Sequence, residues 1–304
     1  MNTFAIGVDV GGTKIAAGVV RSDGVLLSNV HDPIEMSQDD PGVTVRQIAR
    51  LIRKAEEEAL LVAKADLTDL PAGIGIPAVL DRYRREVMWA PNIDGFRNIR
   101  LAEAVEALIC RDQIVLDFDG NTAVAAEAWV GAAAGRRNVV FLIIGTGVGA
   151  GLMLDGRIFR GASGMPGGVG WFALDPFAVD SAMARRIPHF ETTCTWRGRD
   201  THGLFAAYES GDQHAATELR SAARFIGMGA ANIVSILNPE VLVIGGGMGL
   251  QYCAHEELYS IILRTVAGLA QPAAAEVVQV VPAALGPLAG IIGAARIALD
   301  SFVC

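Results

Sequence analysis

The sequence VDVGGTKIAAGVV at residues 8–20 decides the fold, because it places a glycine turn between two apolar runs. The acid Asp9 precedes the turn and the cation Lys14 follows the threonine. A hairpin alone needs only residues that favour a turn. Consecutive glycines also let the backbone approach a ligand, since no Cβ stands in the way. The stretch therefore predicts two antiparallel strands joined by a turn that contacts a ligand.

The composition of the chain is that of a compact globular protein. It has 304 residues, of which 52% are hydrophobic and 19% are charged. The formal net charge of −8 disfavours a nucleic-acid partner, because no basic stripe is available to neutralise phosphates. The two most basic pieces, DRYRRE at 81–86 and CTWRGR at 194–199, are short and fit solvated loops.

The sequence also favours a cytoplasmic protein without a membrane partner. Its longest apolar region, residues 139–154, is interrupted by glycines and a threonine, and the N-terminus lacks the basic residues of a signal peptide. The four cysteines are far apart and form no CxxC pair, which is typical of reduced thiols.

The pattern of apolar runs predicts two similar halves. In the first half it predicts strands at 4–10, 14–20, 25–30, 72–76 and 114–116 and helices at 43–65 and 101–108. In the second half it predicts strands at 139–144, 151–154, 157–160, 241–247 and 277–281 and helices at 215–237, 256–266 and 288–299. Each half begins with a three-stranded meander around a Gly-Thr turn, so we expect an internal duplication with a cleft between the halves.

Three glycine-rich turns follow predicted strands: DVGGTK at 9–14, GTGVGAG at 145–151 and GGGMG at 245–249. Any one of them fits a tight hairpin as well as a phosphate site. A strand rather than a helix follows GTGVGAG, so it does not fit a dinucleotide fingerprint, and the chain has no P-loop motif. Three such turns at matching places in a duplicated fold favour phosphate binding.

Four motifs together resemble those of the ROK family of sugar kinases and regulators: DVGGTK, DGNTAVAAEAWVG, GTGVGAG and LNPEVLVIGGGMG. The resemblance runs from residue 4 to about residue 249. It implies an α/β, duplicated ribonuclease-H-like (actin-like, hexokinase-type) fold with two lobes and a central cleft. The smaller N-terminal lobe is expected at 1–117, with the closing helix at 288–304 packed back on it, and the larger lobe at 118–287. Repressors of the family carry an N-terminal helix-turn-helix, whereas this chain starts at the first strand, so we expect no repressor role.

The resemblance implies that the cofactors are ATP and Mg²⁺ and that no protein site holds another metal. Mg²⁺ would be held mainly by ATP and water near Asp9, because an acid in an anion site makes sense only if a cation intervenes. The turns are small so that a triphosphate can lie against them. The implied nucleotide-binding residues are Gly11, Gly12, Thr13, Lys14, Gly145, Thr146, Gly147 and Gly149 for the phosphates, and Gly245, Gly246 and Gly247 for the adenosine.

The resemblance also implies a catalytic base. The family's NDAN motif corresponds to FDGN at 118–121, whose second residue is Asp119. A carboxylate here can accept the proton of a substrate hydroxyl as that hydroxyl attacks the γ-phosphorus. Asp119 or Asn121 would also suit a helix N-cap, because both precede the helical sequence TAVAAEAW. Within the resemblance we favour the base, with Asn121 supporting the loop.

The family's sugar-binding residues are largely replaced. The resemblance assigns sugar-binding side chains to four positions that here are Phe118, Gly168, Trp171 and Ala206. A buried hydroxyl left unpaired costs about 1–3 kcal/mol, so these changes disfavour an ordinary hexose. We expect a modified sugar, an amino sugar or a cyclitol rather than plain glucose. The candidate acceptor-binding residues are Asn92, Asp94, Phe118, Asp119, Gly168 and Trp171, with Asp81 and Asp117 as further polar candidates; for the loop acids, turn chemistry explains their presence at least as well.

The family's structural zinc motif is absent. The corresponding stretch is RGRDTHGL at 197–204, which contains no cysteine. Cys194, His189 and His202 match no standard zinc spacing, so we expect no zinc. The loop at 175–201 would then be held by packing, with Phe177, Phe190 and Trp196 as candidates.

These observations leave three hypotheses. The first is an ATP-dependent kinase acting on a hydroxyl of a sugar-like molecule, with Asp119 as general base. The second is a non-catalytic sensor or regulator that binds a ligand or nucleotide, and the third is an ATP or polyphosphate hydrolase. Family members are often dimers, and the apolar helix at 215–237 fits a homodimer interface or the core equally well.

Overall fold

The computed structural model describes residues 3–63, 67–90, 92–162, 164, 166–174, 190–191 and 200–303. The chain forms two compact units. The first comprises Met1–Gly135, Ile158–Pro166 and Pro287–Cys304, and the second comprises Arg136–Arg157 and Gly167–Gly286. The division falls after Gly135 rather than at residue 117, and the first unit is the larger of the two. Within the described residues, no helix has the length and apolar character needed to cross a bilayer.

A five-stranded sheet forms the centre of the first unit. The strands of this unit are β1 (Phe4–Val10), β2 (Lys14–Arg21), β3 (Val30–Pro33), β4 (Ala72–Ile76), β5 (Val79–Leu80), β6 (Val87–Trp89) and β7 (Ile114–Phe118). The sheet order is β3-β2-β1-β4-β7, while β5 and β6 form a separate hairpin. β1 is antiparallel to β2 and parallel to β4, so the glycine turn joins a central strand to its antiparallel neighbour.

Three helices alternate with these strands along the chain. They are α1 (Gly42–Ala63) after β3, α2 (Leu101–Ile109) after β6 and α3 (Asp119–Val130) after β7. The apolar face of α1 packs against β2, and its side chains Ile48, Leu51 and Ile52 are fully buried. This is the face that the helical spacing of apolar residues predicts.

The second unit repeats the sheet of the first. The strands of its sheet are β8 (Val139–Ile144), β9 (Val148–Leu154), β10 (Arg157–Ile158, whose second residue belongs to the first unit), β11 (Val241–Gly245) and β12 (Gln279–Pro282), in the order β10-β9-β8-β11-β12. Its longer helices, among the described residues, are α4 (Thr201–Glu209), α5 (Gln213–Leu237), α6 (Gly247–Ala254), α7 (Glu256–Leu269) and α8 (Pro272–Val277). As in the first unit, the first strand is antiparallel to the second and parallel to the strand on its other side. The matching order confirms the predicted duplication.

The last helix, α9 (Ala289–Phe302), returns to the first unit, as the sequence predicts. Its backbone lies directly on the sheet. A Cβ atom at Gly7 would lie 1.8 Å from the carbonyl oxygen of Ile291, and one at Gly73 would lie 1.9 Å from that of Ala294. Because α3 packs along α9, it belongs to the first unit, and this explains why the division falls after α3.

Several predicted elements differ from the structure. The strand expected at 25–30 lies at Val30–Pro33, because the side chain of Asp23 accepts a hydrogen bond from the Val25 backbone and the segment forms only a bridge from Val20 to Leu26. The strand expected to reach residue 247 ends at Gly245, because α6 begins at Gly247. The strand expected from 277 begins at Gln279, because α8 occupies the preceding residues.

Candidate active site

The turn between β1 and β2 is open to solvent. The Gly11 N–H donates to the carbonyl oxygen of Lys14 at 2.9 Å, which closes the turn, while Gly12, Thr13 and Lys14 are exposed. A Cβ atom at Gly12 would lie 3.8 Å from the Cβ of Asn92, so the structure brings this acceptor candidate next to the turn. The turn therefore offers exposed backbone beside a polar side chain.

Two carboxylates of the first unit have raised pKa values. Burial raises the pKa of Asp119 to about 7, and the charge of Asp9 adds to this effect. Burial also raises the pKa of Asp9 to about 6, although Lys14 opposes it. Since like charges in a poorly solvated place resist joint ionisation, a cation near the pair would stabilise both charges. This fits a divalent ion near Asp9.

The first turn of α9 packs against the Asp9 side chain. The sequence did not predict this contact. A Cβ atom at Gly290 would lie 2.4 Å from the Cγ of Asp9 and less than 3 Å from both of its carboxylate oxygens. Only a glycine at this position leaves room for the carboxylate. The glycines of LGPLAGIIG were visible in the sequence, but their partner almost 300 residues away was not.

Asp119 begins α3 and does not act as its N-cap. The N-cap residue is Phe118, which has extended backbone and no side-chain capping bond. The Asp119 carboxylate accepts the Gly120 N–H at 2.8 Å and also interacts with its own backbone N–H, and Asp119 is partly buried. These contacts leave carboxylate lone pairs for a substrate proton, which favours the general-base interpretation over the capping one.

Asn121 and Asp117 fasten the loop that carries Asp119. The Asn121 side-chain amide donates to Asp117 Oδ1 at 2.7 Å, and the Phe118 N–H donates to the same oxygen at 2.9 Å. The Oδ1 of Asn121 is buried and has no hydrogen-bond partner among the described residues. Asn121 therefore has the supporting place that the sequence predicts.

Two acids that were candidates for acceptor binding are occupied by the protein itself. Asp117 Oδ2 accepts hydrogen bonds from Arg84 and Arg160. The Asp81 carboxylate accepts backbone N–H groups of residues 83, 85 and 86 at 2.7–2.9 Å, which is turn chemistry. Both oxygens of each carboxylate therefore already accept hydrogen bonds from the protein. We no longer expect either residue to contact the acceptor substrate directly.

The basic piece DRYRRE is not a wholly solvated loop, contrary to the prediction. Arg85 donates through Nη1 to Glu106 at 2.8 Å and to the carbonyl oxygen of Ile114 at 2.8 Å. Arg84 reaches the buried Asp117. The sequence did not reveal these pairs, because each partner lies 20 or more residues away.

The second unit brings its two predicted glycine segments together. In the turn between β8 and β9, the Gly145 N–H donates to the Gly147 carbonyl oxygen at 2.9 Å. Gly246 has a φ of 80°, and a Cβ atom there would lie 2.4 Å from the carbonyl oxygen of Ile144. The start of α6 at Gly247 therefore lies beside the Gly145 turn, with open space around Gly247, and the N-terminus of a helix favours anions. Thr146 is exposed, and Gly145, Gly147 and Gly149 are half-buried.

Glu191 contacts this second turn and was also missed. Its Oε2 accepts the Val148 N–H at 3.1 Å, and a Cβ atom at Gly147 would lie 3.0 Å from the same oxygen. The carboxylate braces the backbone of the turn. Glu191 lies inside the segment that the sequence indicated only as a loop, so no signal pointed to it.

At the positions where the family has sugar-binding side chains, the residues of this chain are exposed or half-buried. Trp171 is 61% exposed at the end of a short 3₁₀ turn, and Phe118 is half-buried. Gly168, Asp94 and Ala206 are exposed, the last on α4. Their part in binding an acceptor stays a prediction.

The loop that lacks the zinc motif is described only in part. Phe190 is fully buried and stacks on Phe172 with 6.4 Å between ring centroids, so packing holds this point of it. His202 is exposed. Among the described residues, no cluster of His, Cys, Asp and Glu could hold a metal. The other candidates, Phe177, His189, Cys194 and Trp196, lie outside the described residues.

Comparisons with known proteins agree with this arrangement. The chain is 30% identical to a glucokinase of Streptomyces coelicolor over 98% of both chains, and 30% identical to an N-acetyl-D-glucosamine kinase of Photobacterium profundum over 95% of this chain and 97% of that one. Its structure is similar to that of the ROK hexokinase from Thermus thermophilus, with a TM-score of 0.79, 30% identity and coverage of 98% and 99%. It is also similar to a ROK family glucokinase from Streptomyces griseus in complex with glucose and AMPPNP, with a TM-score of 0.73, 28% identity and the same coverage.

The family model described as "ROK family" matches residues 5–301, which is nearly the whole chain. The chain belongs to the ROK family.

Proposed function

We propose that the chain is an ATP-dependent kinase that transfers the γ-phosphoryl group to a hydroxyl of a sugar-like small molecule. The observation that carries this proposal is Asp119. It lies at the start of α3, its carboxylate keeps free lone pairs, and its pKa of about 7 suits a base working near neutral pH. The similarity to glucokinases and to an N-acetyl-D-glucosamine kinase supports a phosphotransferase with an alcohol acceptor.

Asp119 accepts the proton of the acceptor hydroxyl as the hydroxyl oxygen attacks the γ-phosphorus, which prevents a positive charge from building on that oxygen. The backbone of Gly11–Thr13 and the ammonium group of Lys14 bind phosphate oxygens in the first unit. The glycines at 145–149 and 245–247 do so in the second, with the adenosine beside Gly245–Gly247. Mg²⁺ would neutralise phosphate charge when bound, and Asp9 would hold it through water. The raised pKa of Asp9 fits this role, since a bound cation favours its ionised form.

The acceptor is a modified sugar, an amino sugar or a cyclitol. The support is the exposed Trp171 and half-buried Phe118 at positions where the family places hydrogen-bonding side chains. Flat apolar surfaces suit C–H faces better than hydroxyl groups. Glucose belongs in the test panel, because the relatives include glucokinases.

The test measures ADP release with Mg²⁺-ATP and pools of sugars, amino sugars and cyclitols, for the wild type, Asp119→Asn and the control Asp23→Asn, whose carboxylate is exposed and pairs with Arg21. The kinase proposal expects turnover that is lost in Asp119→Asn and kept in the control. Tight nucleotide binding without turnover in any pool would contradict it and favour a sensor. Phosphate release without an organic acceptor would favour a hydrolase.

A further inference from the structure

Two arginines of the first unit share one buried carboxylate. The Asp117 side chain is only 3% exposed, and its Oδ2 accepts from Arg160 Nη2 at 2.7 Å, Arg160 Nε at 3.1 Å and Arg84 Nη1 at 3.1 Å. The other oxygen, Oδ1, accepts from Asn121 and from the Phe118 backbone. The carboxylate is therefore saturated with hydrogen bonds.

Among the described residues, the group carries one positive charge in excess. Two guanidinium groups face one carboxylate, and within this part of the chain the only other side chain hydrogen-bonded to either arginine is the neutral hydroxyl of Ser301, 3.5 Å from Arg84 Nη2. The arginine side chains are 25% and 34% exposed, so water does not fully solvate the excess charge. Burial lowers the pKa of Arg84, and the charge of Arg160 lowers it further. One arginine would be enough to neutralise Asp117, and the second is destabilised by the first.

The backbone conformation of Arg84 is unfavourable as well. Its φ is 58°, a left-handed conformation that disfavours a residue of this type. The strained turn nevertheless places the guanidinium group on an acid that already has a partner. A residue whose charge and backbone are both unfavourable in the free protein is a candidate for binding a ligand.

The cluster lies next to the catalytic base. Asp117 precedes Asp119 by two residues, a chain distance of at most roughly 7 Å. Arg160 leads directly into the segment that contains Gly168, and Gly164 of that segment lies beside Leu80, since a Cβ atom there would be 3.5 Å from the Leu80 carbonyl oxygen. Of its five N–H groups, Arg160 uses two on Asp117, and the described residues engage no others.

We propose that Arg84 and Arg160 bind an oxyanion group, a carboxylate or a phosphate, that the acceptor carries within a few bonds of the hydroxyl that is phosphorylated. This rests on the proposed kinase function and narrows its substrate class to anionic polyols. It also accounts for the apolar residues at the family's sugar-binding positions, because ionic contacts replace the lost hydroxyl contacts as the source of affinity.

The first test measures binding by calorimetry to protein saturated with Mg²⁺-AMPPNP, so that the phosphate-binding turns are occupied. The probes are two pairs that differ in the anionic group: D-gluconate with D-glucose, and D-ribose 5-phosphate with D-ribose. We expect the anionic member of one pair to bind at least about tenfold more tightly than the neutral member, which is the effect of one charged hydrogen bond. A preference in the first pair assigns a carboxylate, and in the second a phosphate. Equal binding within both pairs, or no binding of either anion, would overturn the proposal.

The variants Arg160→Gln and Arg84→Asn test the residues. Asparagine is chosen because it tolerates a left-handed backbone. In each variant Asp117 keeps one guanidinium, so the protein should fold, and urea unfolding checks this. We expect anion affinity to fall about 10- to 100-fold while neutral probes are unaffected. Arg160→Lys should restore part of it. The matched control is Arg21→Gln, an arginine of similar exposure that pairs with a single exposed acid.

The outcome separates the two proposals. Asp119-dependent phosphorylation of a neutral acceptor, with an unchanged rate in both arginine variants, would refute anion recognition and leave the kinase function intact. Arginine-dependent binding of an anion without phosphoryl transfer to any acceptor would refute the kinase function instead.

Discussion

Asp119 has to be ionised to accept a proton, yet its surroundings favour the neutral form. Burial and the nearby charge of Asp9 both raise its pKa, which reaches about 7. A base with a pKa near the working pH combines a sufficient ionised fraction with a strong affinity for the proton. The residue's environment thus fits its proposed role without any other group being required to activate it.

The rate should depend on pH through this group. Because the ionised form accepts the proton, kcat/KM for the acceptor should fall about tenfold for each pH unit below the pKa of Asp119 and level off above it; this pKa is about 7 without a bound cation, and a cation near Asp9 lowers it. The profile is measured by ADP release at saturating Mg²⁺-ATP. The binding of Mg²⁺-AMPPNP, recorded over the same range, controls for loss of nucleotide. A flat acceptor profile between about pH 5 and about pH 8 would contradict the assignment of the base.

Asp119→Asn should abolish activity and change how stability depends on pH. We expect kcat to fall by about 10²–10⁴. In the wild type the folded-state pKa lies above the ordinary aspartate value of 3.8, so the folded protein holds a proton that the unfolded chain has released, and stability falls as pH rises from about 4 to about 7. The variant lacks this loss. Urea unfolding near pH 5 and near pH 8 should show the variant gaining relative to the wild type at the higher pH; an equal difference at both would be inconsistent with a raised pKa.

The sequence gives candidate site residues where a local motif marks them. The glycine turns and Asp119 belong to such motifs, and each is recognisable from its neighbours in the chain. Gly290, Glu191, Arg84 and Arg160 were not recognised, because each acts on a residue far away in the sequence. Asp117 was a candidate for binding the acceptor substrate for the same reason, because the sequence does not show its hydrogen-bond partners within the protein.

At the scale of elements, regular periodicity predicted best. The spacing of apolar residues gave β1, β4, β8 and the body of α1 and α5, since burial on one face or both leaves a clear pattern. It failed for short elements at the edges. β3 has four residues and only one of them is buried, and β5 and β6 are shorter still, so they carry little hydrophobic signal.

The close packing of α9 on β4 predicts how a substitution in β4 changes the free energy of unfolding. In Gly73→Ala the new methyl would overlap the Ala294 backbone, which cannot move aside as a side chain can, so we expect a loss of about 1–3 kcal/mol or more. Gly268→Ala in α7, with nothing within 4 Å of the added carbon, is the matched control and should gain roughly 0.5–1 kcal/mol. Both values come from urea unfolding. Similar small effects at the two positions would show that α9 does not lie on the strand.

Gly290→Ala should affect the function more than the fold. The added methyl would displace the Asp9 carboxylate, a side chain that can rotate. We therefore expect a clear loss of kcat and of the Mg²⁺ dependence of ATP binding, with a smaller loss of stability than in Gly73→Ala. Phosphoryl transfer and unfolding are measured on the same preparations. Full activity in Gly290→Ala would argue against a role for Asp9.

At the scale of the whole molecule, the first unit is built from both ends of the chain, whereas the second is nearly continuous. A chain ending at Gly286 lacks α9, so β1 and β4 lose the helix that covers their glycines. Hydrogen exchange should show the amides of β1, β4 and α3 losing protection, while those of β8 and β11 keep theirs. A chain ending at Phe302 removes only residues beyond α9 and serves as the control. Equal protection of the first-unit strands in both truncated chains would contradict this dependence.

This arrangement has a consequence for the order of events during synthesis. The sheet of the first unit leaves the ribosome early, but its helix-binding surface stays uncovered until residues 289–302 have been translated. All residues of the second unit are translated before these, so we expect the second unit to reach its native state before the first. Nascent chains stalled before residue 289 would then be the form most in need of a chaperone.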